Sequence, residues 1–130
     1  MLGEAEEFAH TLNVTVVTGD PPFGWWGCWD PDRRLITLRS DLGPVQARST
    51  LWHELGHAVH DHVGRTARNE RQATVWAAHR LISLDQFIEA ARLDANAQSI
   101  AHRLDVLPRD VEAYTSSLSA AEKVMLEKLL

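Results

Sequence analysis

Cysteine is nearly absent from this chain of 130 residues. Cys28 is the only one, so no disulfide can form within the chain. The start of the sequence is acidic where a secretory leader would be basic, and no apolar run reaches the roughly 20 residues that a membrane helix needs. A free thiol fits a reducing compartment. We therefore expect a cytoplasmic protein that does not enter a membrane.

An excess of positive charge is also lacking. Thirteen Lys and Arg residues stand against eighteen Asp and Glu, which gives a net charge of −5. Such a balance argues against broad electrostatic binding to nucleic acid or to an anionic membrane. The hydrophobic fraction of 45% and the length are typical of one soluble domain, which we place at residues 1–130.

The sequence pattern predicts an α+β fold. Its first third carries strand signals, and Pro21, Pro22 and Pro31 mark turns between them. We expect a small antiparallel sheet of about three strands near the N-terminus, packed on a mainly helical body. The predicted strands are 14–17, 24–30 and 35–38, and the predicted helices are 3–12, 45–62, 69–82, 83–93, 96–104, 108–118 and 120–130.

One motif carries chemistry: His53-Glu54-Leu55-Gly56-His57. On a helix, residues four apart share a face, so both imidazoles can reach one metal ion. Glu54 lies beside them, where it can take a proton from water activated by that ion. Imidazole and carboxylate donors suit zinc, and hydrolysis needs no redox chemistry. Gly56 costs the helix about 1 kcal/mol relative to alanine, which is easier to explain if another element packs tightly there.

A catalytic zinc site needs a third protein ligand. Glu70 begins the next predicted helix, and a tight turn near Gly64 would fold that helix back across the metal face. Its carboxylate can equally be a helix N-terminal acid favoured by the dipole. His60, Asp61 and His79 remain alternatives, although His60 lies nearly two turns from His53.

Two segments make the sequence resemble the ImmA/IrrE family of metallopeptidases. The first is Thr50–His60, which follows the family pattern Thr-x-x-His-Glu-x-Gly-His. The second is 70–78, which follows the start of the family pattern Glu-x-x-Ala-x-x-Phe-Ala-x-x-Leu-Leu, with Trp76 in place of the phenylalanine. Ser83 stands where a proline is common. Neither departure falls on a ligand position.

The resemblance implies a minimal zincin-like fold, with zinc held by His53, His57 and Glu70 and with Glu54 as general base. It further implies regulatory proteolysis of a helix-turn-helix transcriptional repressor of a phage, mobile element or stress locus. Tyr114 and His79 are candidates for an oxyanion partner, although both suit a structural role as well.

Two non-catalytic functions compete with the peptidase. The predicted helices within 101–118 have the look of a helix-turn-helix, but the basic and acidic residues after position 95 nearly balance, so we expect no direct nucleic-acid binding. An antirepressor or repressor-binding module that keeps the metal site without cutting its target is the other alternative. Loss of repressor cleavage on Glu54→Gln would separate it from a peptidase.

Overall fold

A computed structural model of the protein describes residues 2–94 and 96–130, and the described residues form an α+β fold, as the sequence predicts. Three strands near the N-terminus make one sheet, and helices make up most of the remaining chain. The strands are β1 (Thr15–Gly19), β2 (Gly27–Asp30) and β3 (Leu35–Arg39). The helices of the described residues are α1 (Gly3–Thr11), α2 (Pro44–Val59), α3 (Ala67–Leu81), α4 (Leu84–Leu93), α5 (Ala97–Leu104), α6 (Pro108–Ser116) and α7 (Ala120–Leu129).

The sheet is mixed, which corrects the expectation of antiparallel pairing throughout. β2 and β3 form the antiparallel hairpin, with Gly27 opposite Leu38, whereas β1 pairs parallel to β3, with Thr15 opposite Leu35. The strand order is β1-β3-β2. The reason is the connection 20–26, which carries the chain across to the far side of β3 before β2 begins. Pro22–Gly24 form a short 3₁₀ turn there, with positive φ angles at Phe23 and Gly24.

Local signals explain where the metal-motif helix α2 begins and ends. Pro44 occupies its first turn, and the Gln46 side chain accepts a hydrogen bond from the backbone N–H of Gly43 at 3.0 Å. The helix ends at Val59, three residues before the predicted end, because Asp61 adopts a left-handed conformation with φ 51°. Gly64 then turns the chain with φ 82° towards α3.

α2 and α3 pack against each other as a helical hairpin, and Gly56 sets how closely they approach. A Cβ at Gly56 would lie 2.9 Å from both the Cα and the carbonyl oxygen of Ala73. No side chain fits that gap, so the glycine predicted to face a tight contact does so. This close approach brings the N-terminal half of α3 alongside the motif face of α2.

The core lies between the sheet and the helices. Leu51 and Leu55 of α2 and Ile36 of β3 are fully buried in it. Phe8, Trp52 and Trp76 form an aromatic cluster with ring centroids 5.6–5.9 Å apart, which packs α1 against the α2–α3 pair. None of the described helices has the length and apolarity to cross a membrane.

Candidate metal centre

Three donor side chains converge between α2 and α3. His53 Nε2 lies 3.5 Å from Glu70 Oε1, and His57 Nε2 lies 2.5 Å from Glu70 Oε2. One donor atom from each of the three residues lies within 4.8 Å of the others. The helical spacing places the two histidines on one face, and the α2–α3 hairpin brings Glu70 to it. The structure therefore brings together the three residues for which the sequence and its family resemblance predict metal binding.

The three side chains do not satisfy one another's polar atoms, and a bound cation would satisfy them better. Burial and then the neighbouring His53 lower the pKa of His57 to about 4, so its imidazole is neutral near pH 7. Hydrogen bonding from His53 lowers the pKa of Glu70 to about 2, so its carboxylate is charged. Glu70 Oε2 is nevertheless buried without a hydrogen-bond partner, despite the short contact with His57. A buried anionic oxygen facing imidazole nitrogens is the arrangement that a divalent cation satisfies.

The orientation of His53 is set by α3. Thr74 donates its hydroxyl proton to the backbone carbonyl of Glu70 at 2.8 Å. Its oxygen lies 3.2 Å from His53 Nδ1 and can therefore accept a hydrogen bond from that nitrogen. When Nε2 binds a metal ion, the ring proton of His53 lies on Nδ1, where the Thr74 oxygen can accept it. The sequence analysis did not single out Thr74, although it lies one helical turn from Glu70.

Glu54 lies beside the two histidines and is 3% exposed. Burial is the main cause that raises the pKa of its carboxyl above the usual 4.5, so it is a stronger base than an exposed glutamate. Gly27 of β2 makes room for it: a Cβ there would lie 2.7 Å from Thr50 Cγ2 and 3.2 Å from Glu54 Cγ. The sequence marks Gly27 only as a glycine in a strand, which signals a close approach without naming the partner.

A cleft of about 200 Å³ opens over this group. Arg65 closes one side of it, because its guanidinium stacks 3.8 Å above the Trp25 ring and lies 3.2 Å from Glu70 Oε1. Burial raises the pKa of the Cys28 thiol above its usual 9.0, so this thiol in the cleft is protonated near neutral pH. The residues that line the cleft are Trp25, Cys28, Trp29, Glu54, His57, Gly64 and Arg65.

The other candidates from the sequence lie elsewhere. His60 turns away and its Nδ1 donates to the carbonyl of Gly56 at 2.7 Å, and Asp61 is exposed in the turn after α2. His79 Nε2 lies 2.7 Å from Ser117 Oγ. Tyr114 is buried against His79 and Phe87. Neither His79 nor Tyr114 lines the cleft, so the structure does not bring these two oxyanion candidates to the metal centre.

Two histidines and a glutamate brought together beside a buried glutamate are a donor set and a base suited to metal-dependent hydrolysis. Residues 18–112 match the peptidase family described as the IrrE N-terminal-like domain, and the chain belongs to this family. The match runs from the end of β1 through β2, β3 and the α2–α3 pair into the first half of α6, so it contains every residue of the metal centre. The family resemblance of the two sequence segments is thereby confirmed. A comparison with curated proteins finds no match.

Proposed function

We propose that the protein is a zinc-dependent endopeptidase whose metal is held by His53, His57 and Glu70 and whose general base is Glu54. The observation that carries the proposal is the convergence of two imidazoles and a charged carboxylate beside a buried glutamate in an open cleft. Membership of a peptidase family supports the reaction class.

Zinc is the metal that this donor set favours. Two imidazole nitrogens and one carboxylate are a common set of protein ligands in catalytic zinc sites, which keep a fourth position open. The cleft provides the space for that position. When bound, zinc supplies the acidity that makes water a nucleophile near neutral pH, and it polarises a peptide carbonyl.

The chain's own residues perform the proton transfers. The Glu54 carboxylate, buried beside Gly27, accepts a proton from the attacking water, and its raised pKa makes it a stronger base than an exposed glutamate. The same group then donates that proton to the leaving amine. Arg65 keeps a positive charge beside the cleft, and its stacking on Trp25 fixes where that charge sits.

An extended peptide is the substrate conformation that the cleft suits. β2 is an edge strand of the described sheet. Its residues Cys28 and Trp29 line the cleft, together with Trp25, which precedes the strand. A substrate strand can pair with such an edge through backbone hydrogen bonds. For the protein substrate we propose a helix-turn-helix transcriptional repressor, so that cleavage has a regulatory effect. This substrate class rests on the family relationship.

The test is zinc-dependent cleavage by wild type and Glu54→Gln. Each protein is loaded with zinc, its metal content is measured by elemental analysis, and cleavage of a co-expressed helix-turn-helix repressor and of a peptide library is followed by mass spectrometry. We expect about one zinc per chain in both proteins and cleavage only by wild type.

Each other outcome rejects a defined part of the proposal. Zinc binding with binding of the repressor but no cleavage by wild type would make the protein a non-catalytic antirepressor. Cleavage of library peptides without cleavage of any repressor would keep the peptidase and reject the repressor as substrate. Absence of zinc after reconstitution would reject the metal centre itself.

A further inference from the structure

A row of polar side chains lies behind His57, on the side away from Glu70. His57 Nδ1 lies 2.9 Å from His62 Nδ1, and His62 Nε2 lies 2.7 Å from Gln72 Oε1. His62 is only 7% exposed, whereas Gln72 lies at the surface of α3. The proposed peptidase chemistry uses neither residue directly, so this buried contact between two histidines needs an explanation of its own.

The direction of these hydrogen bonds follows from the end of the row. The carbonyl oxygen of Gln72 can only accept, so His62 Nε2 must carry the proton. A neutral His62 then has a lone pair on Nδ1, and that nitrogen accepts the proton carried by His57 Nδ1. With its proton held there, His57 has a free lone pair on Nε2, the nitrogen that faces Glu70.

We propose that His62 and Gln72 are positioning residues that lock His57 in its metal-binding tautomer and orientation. The proposal rests on the metal centre of the proposed function, and it concerns metal binding rather than peptide cleavage. Partners of this kind, which bind the far nitrogen of a ligating histidine, set its tautomer and raise metal affinity.

The backbone supports this role of His62. The left-handed residue Asp61 turns the chain, and the backbone N–H of His62 donates to the carbonyl of His57 at 3.0 Å. The His60 ring stacks on His62 with centroids 5.3 Å apart and planes 16° apart, while His60 Nδ1 donates to the carbonyl of Gly56. Two independent contacts therefore hold the His62 ring in the plane that reaches His57.

The geometry excludes His62 as a further metal ligand. It contacts Nδ1 of His57, whereas His53 and His57 face the Glu70 carboxylate through their Nε2 atoms. α3 thus contributes twice to the His57 site: Glu70 supplies the carboxylate donor, and Gln72, two residues later, supplies the acceptor that orders the row behind it.

Nuclear magnetic resonance of the zinc-loaded protein, with histidine labelled by nitrogen-15, tests the row directly. We expect the His62 nitrogens to report the Nε2–H tautomer. We also expect a scalar coupling through the hydrogen bond between the Nδ1 atoms of His57 and His62. In Gln72→Leu, His62 loses its acceptor, so the coupling should weaken, both tautomers of His62 should appear, and the dissociation constant for zinc should rise about 10-fold.

Two variants separate this role from packing. Gln72→Glu keeps an acceptor at the end of the row and should restore the coupling and most of the zinc affinity. Gln98→Leu makes the same chemical change at an exposed position of α5 and should alter neither. Because Gln72 is exposed, its replacement leaves the folded core intact.

The proposal fails if His62 of the zinc-loaded wild type carries its proton on Nδ1, or if Gln72→Leu keeps both the wild-type tautomer and the wild-type zinc affinity. Absence of zinc binding by wild type would reject it together with the metal centre. A zinc-loaded protein that shows the coupling but cleaves no peptide would support the row and reject only the peptidase.

Discussion

Gly56 and Gly27 hold the neighbouring elements close to the two functional parts of α2. Gly56 directly precedes His57 and lets the backbone of α3 approach α2 at Ala73. Gly27 lets β2 approach Glu54. Both positions leave no room for a Cβ, because the nearest atoms would lie within 3 Å. The metal centre therefore depends on these two glycines, which allow close packing, as well as on the residues that would bind the metal.

Gly56→Ala tests this dependence, because two effects of opposite sign compete there. Helix propensity alone would stabilise the protein by about 1 kcal/mol. The new Cβ would press on backbone atoms of Ala73, which cannot rotate away, so we expect a net loss of about 1–3 kcal/mol in the free energy of unfolding. Urea denaturation measures this change in the free energy of unfolding. Gly3→Ala, where nothing lies within 4 Å of the new Cβ, is the matched control and should stay within about 0.5 kcal/mol of wild type. A Gly56→Ala protein as stable as wild type would contradict the close contact.

Helix boundaries show what an element's own sequence determines. The helix predicted at 120–130 is confirmed as α7, and a capping box marks its start: Ser119 Oγ accepts from the backbone N–H of Glu122 at 3.1 Å, and the Glu122 carboxylate accepts from the backbone N–H of Ser119 at 3.0 Å. The direction of β1 was predicted wrongly, because it depends on where the connection 20–26 leads. That path includes a positive φ at Phe23, a residue without any preference for it.

The capping box of α7 leads to a prediction about pH. Hydrogen bonds from the backbone and then the side chain of Ser119 hold the pKa of Glu122 below its usual 4.5. A carboxyl whose pKa is lowered by folding stabilises the folded state above its unfolded pKa, and that contribution is lost as the pH falls through the folded pKa. We expect carbon-13 titration to show a Glu122 pKa below 4.5, and Ser119→Ala to move it back towards 4.5. An unchanged titration in Ser119→Ala would show that the capping box does not hold the charge.

The metal centre divides into a part that the sequence makes predictable and a part that only the fold reveals. His53, Glu54 and His57 share a helical face through local spacing alone. Glu70 needs the α2–α3 hairpin: an expected tight turn near Gly64 favoured it over the other candidates, and the family pattern then singled it out. Arg65 reaches the cleft from the turn between these helices, and its partner Trp25 comes from the segment before β2, so no short-range pattern joins them.

Zinc should stabilise the folded protein, because its three donors join α2 to α3 beside the close contact between Gly56 and Ala73. A ligand that binds only the folded state at 100 times its dissociation constant adds about 2.7 kcal/mol. For a chain of this size that corresponds to a rise of roughly 10 °C in the melting temperature, which a chelator should reverse. Differential scanning calorimetry with and without zinc measures the shift. Glu70→Gln keeps the side-chain volume but removes the charge, so its melting temperature should respond far less to zinc. An equal response in Glu70→Gln would mean that zinc stabilises the protein from another site, and the third ligand would then have to be sought away from α3.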